Sequence, residues 1–362
     1  MKFIFVTSTM FSRNNGPANF AMNLYDYYKN NHLIYFLTPD VNYSQNNILK
    51  TKIVFSKIFK PISMLIMGID FFISIRKIKF ETVIWNFSVL AWFSMMFGSK
   101  KNKNIVFVND SLSVDLNYEF SYNFLRLFIF RLFEKYSCRK ANKIITNSYV
   151  IKKKLIENYN ISKDNIYVLY KGVNFKQIIN TKQNFKIDPE NLIKIAFVKS
   201  NYKVGGLEKL CKALSQITNK QFQINIFGPN YIEKKLYKFS NVKLNLNKKV
   251  NKEDLFKSII NSDIFCVPCS VEAYGQANIE AIALQIPTII LPVDYQLYLH
   301  DESYCYIPKQ DNINSLTKTF LEIFSLSESQ REFKAKLGRN QMEKLYSIEN
   351  SLQNFEKIIP VN

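Results

Sequence analysis

Residues 263–287 read Asp263-Ile264-Phe265-Cys266-Val267-Pro268-Cys269-Ser270-Val271-Glu272-Ala273-Tyr274-Gly275-Gln276-Ala277-Asn278-Ile279-Glu280-Ala281-Ile282-Ala283-Leu284-Gln285-Ile286-Pro287. The apolar run Ile264–Val267 predicts a buried strand. A turn around Gly275 leads into a helix over Ala277–Leu284, and Pro287 opens a second apolar run, Thr288–Leu291. Strand, turn, helix and strand make one βαβ unit, the building block of a parallel sheet covered by helices. In such open sheets ligands bind outside the carboxyl ends of the strands, where a helix N-terminus offers free N–H groups to an anion such as a diphosphate. Glu272 precedes this helix and Glu280 lies within it. A carboxylate aimed at a phosphate is unfavourable, so the pair suits neutral hydroxyls on either side of it, a ribose and a hexose. The plainer alternative is two solvated glutamates flanking a helix start.

The same alternation runs outward in both directions. Toward the N-terminus, strands are expected at Lys2–Val6, Leu33–Leu37, Thr82–Trp85, Asn104–Val108, Lys143–Thr146 and Ile166–Leu169. Helices are expected at Pro17–Lys29, Phe120–Cys138 and Ser148–Tyr159. Residues 175–192 lack periodicity and read as a linker. A second series then begins, with strands at Ile193–Val198, Gln223–Phe227, Val242–Leu246, Ile264–Val267, Thr288–Leu291 and Tyr304–Ile307. Its helices are expected at Leu207–Ile217, Lys252–Asn261, Ala277–Leu284, Asn314–Phe324 and Glu328–Leu345. With 362 residues, two domains are the natural division: 1–178, joined by a C-terminal helix in 346–362, and 190–345.

Composition excludes a disordered tail, a collagen-like rod and a disulfide scaffold: 47% of residues are hydrophobic and 22% charged, with 9 Gly and 10 Pro. Five scattered Cys fit a reducing cytosol, and with only two His (His32, His300) they leave little material for a metal site. The formal charge of +20 is uneven, with 27 basic against 12 acidic residues in 1–190 and 22 against 17 beyond. This asymmetry points to a polyanion, nucleic acid or an anionic membrane surface; the bland alternative is an AT-rich genome that favours Lys, Asn and Ile codons. Met1–Val6 is too short for the apolar stretch of a secretory leader. Pro61–Ile75 is too short for a membrane span and contains Asp70. Thr82–Ser99 carries Asn86 and reads as a buried strand followed by a helix.

The 263–287 segment resembles the C-terminal signature of glycosyltransferase family 4. That pattern has two glutamates with seven residues between them, an aromatic-Gly turn after the first, and a Pro opening the next strand. Glu272, Tyr274-Gly275, Glu280 and Pro287 match it, with Gln285 where Gly is usual and Ala277 where Pro is common. Weaker likenesses cover most of the chain: Ala141–Ser148, Tyr170–Asn174, Phe227-Gly228-Pro229 and Asn251–Cys266. The resemblance implies an α/β chain of the GT-B fold, two Rossmann-like doubly wound domains facing across a cleft. It also implies a retaining, metal-independent hexosyltransferase using a nucleotide diphosphate sugar and no resident cofactor. Glu280 would then hold the nucleotide ribose and Glu272 would face the donor sugar. The amides of Gly275, Gln276 and Ala277 would approach the sugar and diphosphate, with Tyr274, Gly228 and Val250 completing the donor side.

Three further places depart from the family. Its members present an Arg and a Lys-Gly after the first strand of the second domain. Here the segment is Val198-Lys199-Ser200-Asn201-Tyr202-Lys203-Val204-Gly205-Gly206, so Lys199 or Lys203 is left to neutralise the leaving diphosphate. Either could instead be a solvated loop lysine. Many relatives have a His after the strand that here ends in Val108; Asn109 and Asp110 stand there, and Asp110 is the candidate for acceptor or sugar contact. The N-terminal glycine pair of relatives is reduced to Gly16-Pro17, placing Gly16 on the acceptor side.

Other signals weigh less. Cys266-Val267-Pro268-Cys269 is formally C-x-x-C, but it ends a buried strand rather than opening a helix. The chain has no D-x-D, G-x-S-x-G, H-E-x-x-H or P-loop motif. Phe120–Lys140 interleaves Phe124, Leu125, Phe128, Leu132 and Phe133 with Arg126, Arg131, Lys135, Arg139 and Lys140. Such a helix can lie on an anionic bilayer or be an ordinary domain helix with solvated cations; the basic half of the chain favours the bilayer. The expectation is a cytoplasmic glycosyltransferase, peripheral on the inner face of the membrane. Its acceptor would be a lipid-linked glycan or cell-surface polysaccharide, as in lipopolysaccharide or capsule synthesis, with no nucleic-acid partner. The alternatives are a nucleotide-sugar epimerase or hydrolase on the same fold, and a silent relative that binds membrane or nucleic acid.

Overall fold

A computed structural model of the chain describes residues 3–11, 16–30, 33–41, 47–58, 62–98, 102–109, 124–175, 178, 192–247, 250–271 and 274–359. The chain divides into two compact units, Met1–Lys171 with Ser351–Asn362, and Gly172–Asn350.

The first unit is a parallel sheet of seven strands: β1 (Phe3–Val6), β2 (Ile34–Thr38), β3 (Ile48–Lys50), β4 (Thr82–Trp85), β5 (Lys103–Val108), β6 (Lys143–Thr146) and β7 (Ile166–Val168), in the order β3-β2-β1-β4-β5-β6-β7. Its helices are α1 (Gly16–Tyr28), α2 (Phe55–Ile58), α3 (Ser63–Ile75), α4 (Trp92–Phe97), α5 (Phe124–Lys140) and α6 (Tyr149–Tyr159). Every residue of β1 and β4 is buried, as expected of strands covered on both faces. Sequence order reverses between β1 and β4, where Phe3 pairs with Thr82 and Val6 with Trp85. The far end of the chain returns here: the Phe20 ring lies 5.6 Å from Phe107 and 6.1 Å from Phe355, and Tyr28 Oη donates to Glu356 at 2.8 Å.

The second unit has five parallel strands, β8 (Ile193–Val198), β9 (Phe222–Phe227), β10 (Val242–Asn247), β11 (Ile264–Cys266) and β12 (Thr288–Ile289), in the order β10-β9-β8-β11-β12. The helices that follow are α7 (Leu207–Ser215), α8 (Lys252–Ile260), α9 (Gln276–Ala283), α10 (Asp294–Leu297), α11 (Ile313–Ser325), α12 (Glu328–Tyr346) and α13 (Ile348–Ile358), the last running on into the first unit. Phe197, Phe222, Phe256, Phe265 and Phe320 are fully buried in its core. Helix α12 comes close to α9 because Gly338 presents no side chain: a Cβ there would lie 2.7 Å from Ile282 Cγ2. Here the order reverses between β8 and β11.

Three expectations need correction. Strand β3 was not anticipated; it is a short edge strand pairing Ile48–Lys50 with Phe36–Thr38 after an Asn-rich stretch. Tyr304–Ile307 forms no strand, and only Tyr306 bridges to Ile289. Thr288–Leu291 shortens to Thr288–Ile289. The stretch Thr82–Ser99 is β4, a 3-10 turn at Ser88–Ala91 and α4, and no described helix is long and apolar enough to cross a membrane.

Candidate active site

Each sheet has one point where strand order reverses, and the loops leaving the carboxyl ends of the flanking strands splay apart there to leave a crevice. In the second unit these loops follow β8 and β11, and glycines allow them to pack closely. Gly206 (φ +76°) caps α7, and a Cβ on it would collide with the Pro268 carbonyl oxygen beyond β11. Gly228 (φ +113°) turns the chain after β9, where a Cβ would lie 2.9 Å from the Lys199 carbonyl carbon. A Cβ on Gly205 would lie 2.9 Å from Lys199 Cγ. The half-buried Lys199 stem is thus held at the end of β8 between two glycine positions, its N–H donating to Phe227 O at 3.0 Å.

Beyond β11, Gly275 adopts a left-handed conformation (φ +71°) and caps α9. A side chain there would press on Gln296 Nε2 at 2.9 Å and Asn278 Nδ2 at 3.0 Å, two amides already joined to each other at 2.9 Å. Tyr274 is buried, its ring 6.4 Å from Tyr346, while Gln276 and Ala277 in the first turn are half-buried. Glu280, one turn on, is only 6% exposed. Its Oε1 accepts from Gln276 Nε2 at 3.0 Å and pairs with Lys252 Nζ at 3.0 Å. Lys252 opens α8 directly after its N-cap Asn251, next to half-buried Val250. Sequence reasoning missed Lys252, because a contact across 28 residues leaves no local pattern.

Lys203 lies in the same loop as Lys199. Its ammonium is exposed and paired with Glu233, which also takes Lys235 at 2.9 Å. The hydrogen bonds from Lys203 and Lys235 pull the Glu233 carboxyl down to about 2. Lys203 thus carries an exposed ion pair to Glu233, of the kind that exchanges readily for another anion. Glu272 lies outside the described residues, as does Asp110. Cys266 and Cys269 are buried free thiols, and burial pushes the Cys266 thiol up, opposite to a reactive cysteine. His300 is buried beside Tyr304, and burial lowers its imidazole to about 4.

In the first unit, three strands are followed directly by asparagine. Asn86 follows β4 and donates to Thr7 Oγ1 at 3.0 Å and Pro17 O at 3.1 Å. Asn109 follows β5 and donates to the Asn86 carbonyl; Asn147 follows β6 and donates to the Asn109 carbonyl at 2.8 Å. The buried Oδ1 atoms of Asn109 and Asn147 find no hydrogen-bond partner among the described residues. Gly16 opens α1 on the same edge, and among the described residues nothing lies within 4 Å of a Cβ position there.

Two doubly wound units, each with such a crevice, are the architecture of the GT-B glycosyltransferases, and known proteins agree. The family model "Glycosyltransferase Family 4" matches residues 14–177 and "Glycosyl transferases group 1" matches 178–340. The chain belongs to glycosyltransferase family 4 and is a sugar transferase. No curated protein matches it. Among solved structures it is similar to sucrose-phosphate synthase from Thermosynechococcus elongatus (14% identity, TM-score 0.76, covering 100% of both chains). It is also similar to WaaG, a glycosyltransferase involved in lipopolysaccharide biosynthesis (13%, 0.75, 99% of each chain). A third is Anabaena Alr3699/HepE in complex with UDP-glucose (10%, 0.74, 100% of each).

Proposed function

We propose that this chain is a retaining hexosyltransferase that takes its sugar from a nucleotide diphosphate sugar and passes it to a lipid-linked or cell-surface polysaccharide acceptor at the inner face of the membrane. The observation that carries the donor side is the Gly275-capped α9. Its free N–H groups suit an anion, and one turn on stands the buried Glu280, held by Lys252 and Gln276. A carboxylate fixed in this way accepts hydrogen bonds from neutral hydroxyls, the ribose diol of a nucleotide. Lys199, clamped at the end of β8, supplies the cation for the departing diphosphate, and the first N–H groups of α9 add to it. The acceptor oxygen bonds to the anomeric carbon as the bond from that carbon to the diphosphate breaks. The bonding pair leaves with the diphosphate oxygen, which takes the acceptor proton, and attack from the same face retains configuration. The protein needs no metal in this reading, because the lysine and helix amides meet the charge.

The membrane part of the reading is supported by α5. Phe128 and Leu132, one turn apart, are each 55% exposed, while Leu127 and Cys138 of the same helix are buried. With the basic N-terminal half, this gives an apolar stripe among cations, suited to an anionic surface.

The test is thermal stabilisation by UDP, GDP, TDP and their sugars, with Glu280→Ala alongside. UDP-sugars lead the panel because the similar HepE structure holds UDP-glucose. A ligand at about a hundred times its dissociation constant adds ~2.7 kcal/mol. Selective stabilisation that vanishes in Glu280→Ala is the expected result. No response to any nucleotide sugar would overturn the reading.

A further inference from the structure

The first unit contains a cavity of about 690 Å³ that no residue of the candidate active site lines. It lies between the ends of α3 and α4 and the starts of β4 and β5, with Val83 and Asn104 as the second residues of those strands. This is the amino edge of the sheet, the opposite edge from Asn86 and Asn109. The volume falls in the about 300–1,000 Å³ range of small-molecule sites.

Six apolar side chains, four of them aromatic, line it, Phe72, Ile75, Ile78, Phe80, Phe93 and Phe97, beside the polar Ser94, Asn102 and Asn104. The Asn104 carboxamide in the wall is already used, its Oδ1 accepting from Trp85 Nε1 at 3.1 Å and its Nδ2 donating to Asn102 O at 3.3 Å. The aromatic side chains of the wall can pack a hydrocarbon chain. Phe97 lines it yet is 60% exposed, and its neighbours Met96 on α4 and Ile73 on α3 are exposed too. Apolar side chains in water around an apolar cavity mark a contact surface.

The cations beside it indicate what that surface meets. Arg76 lines the cavity with its guanidinium 5.5 Å from the centre of the Phe72 ring, and Lys77 and Lys79 are exposed between the lining residues Ile78 and Phe80 and that arginine. Among the described residues of 71–104, Glu81 is the one acidic side chain, against Arg76, Lys77, Lys79 and Lys103. A cavity with aromatic side chains in its wall and positive charge at one margin matches a molecule with an anionic head and a hydrocarbon tail.

We propose that this cavity takes one acyl chain of an anionic bilayer phospholipid, with its headgroup phosphate against Arg76 and the neighbouring lysines. The proposal rests on the membrane reading above and goes beyond it, assigning the chain a binding site where α5 offers only a surface.

The two tryptophans of the chain report on it: Trp85 is bonded to Asn104 of the wall, and the Trp92 ring is 5.1 Å from that of Phe93. The full chain is mixed with phosphatidylglycerol vesicles whose acyl chains carry bromine, with unbrominated phosphatidylglycerol and with phosphatidylcholine. Sedimentation and tryptophan quenching are both read. The expected result is sedimentation with the anionic vesicles and quenching by their brominated chains. Phe97→Asp, at an exposed position, should remove the quenching while leaving the melting temperature and the nucleotide-sugar response unchanged. Arg76→Glu, a change of two charges near the surface, should weaken partitioning roughly 30-fold. Sedimentation without quenching, or quenching that Phe97→Asp leaves intact, would overturn the cavity proposal alone. Failure to sediment with anionic vesicles would overturn it together with the membrane reading, and the donor experiment would still stand.

Discussion

The two sheets share one topology but place different chemistry at their reversal points. In the second unit the β8 and β11 loops carry glycines at positive φ, the clamped Lys199, and Glu280 tied to Lys252. In the first unit the corresponding edge carries a relay of neutral amides, Asn86 to Asn109 to Asn147. A cation beside helix amides matches a phosphate; primary amides with spare oxygens match hydroxyls. The same crevice is thus charged in one unit and neutral in the other, and the difference is made by the few residues that follow each strand.

The largest expected effect tests the charged side. Lys199→Ala should lower kcat about 10²–10³-fold, the loss typical of one group aimed at developing charge, while Lys203→Ala stays within roughly tenfold because that ammonium is exposed and paired with Glu233. Steady-state kinetics of both variants decide it; equal losses would mean that Lys203 leaves Glu233 for the phosphate. Next, Gly206→Val should cost roughly 2–4 kcal/mol by denaturant melting. It forces a β-branched residue to φ +76° and drives its Cβ into the Pro268 carbonyl.

Titration separates the units further, because amides do not titrate and His300 does. Buried and neutral, its imidazole has been lowered to about 4 from the usual 6.5. The unfolded chain then binds the proton first as pH falls. His300 costs no stability above about pH 6.5, and costs progressively more between 6.5 and 4, up to about 3 kcal/mol. His300→Phe should flatten that part of the stability–pH curve; an unchanged slope would place the acid sensitivity elsewhere. On the neutral side, Asn86→Ala removes two buried donations, to Thr7 Oγ1 and Pro17 O, at roughly 2–3 kcal/mol in urea melts.

Much of this was legible in the sequence, because apolar strands buried on both faces leave uninterrupted runs such as Phe3–Val6 and Thr82–Trp85. The Tyr274-Gly275 turn was legible for a similar reason: a cap at positive φ with no room for a Cβ admits only glycine. Three residues of β3 carry too little pattern, and an edge strand is specified by its neighbour. The Lys252–Glu280 pair was hidden because tertiary folding alone brings α8 to α9. The asparagine relay did leave a signal that went unused. Trp85-Asn86, Val108-Asn109 and Thr146-Asn147 each set an asparagine directly after a strand, a repetition that marks a common edge.

The smallest expected effect sharpens the comparison at glycine itself. Gly16 stands on the first unit's carboxyl edge, where a glycine is easily given the role that Gly206 and Gly275 have in the second. Its surroundings differ from theirs. It lies at the start of α1, is not among the positive-φ glycines, and has nothing within 4 Å of a Cβ position among the described residues. Alanine there meets no neighbour and restricts the unfolded chain, so Gly16→Ala should stabilise the protein by about 0.4–1 kcal/mol. If the acceptor needs the backbone bare at this point, the same variant will raise KM for the acceptor while leaving the donor's KM unchanged. A stabilised variant with both KM values unchanged would mean that glycine here serves neither packing nor binding. The first unit's crevice would then rest on its asparagines alone.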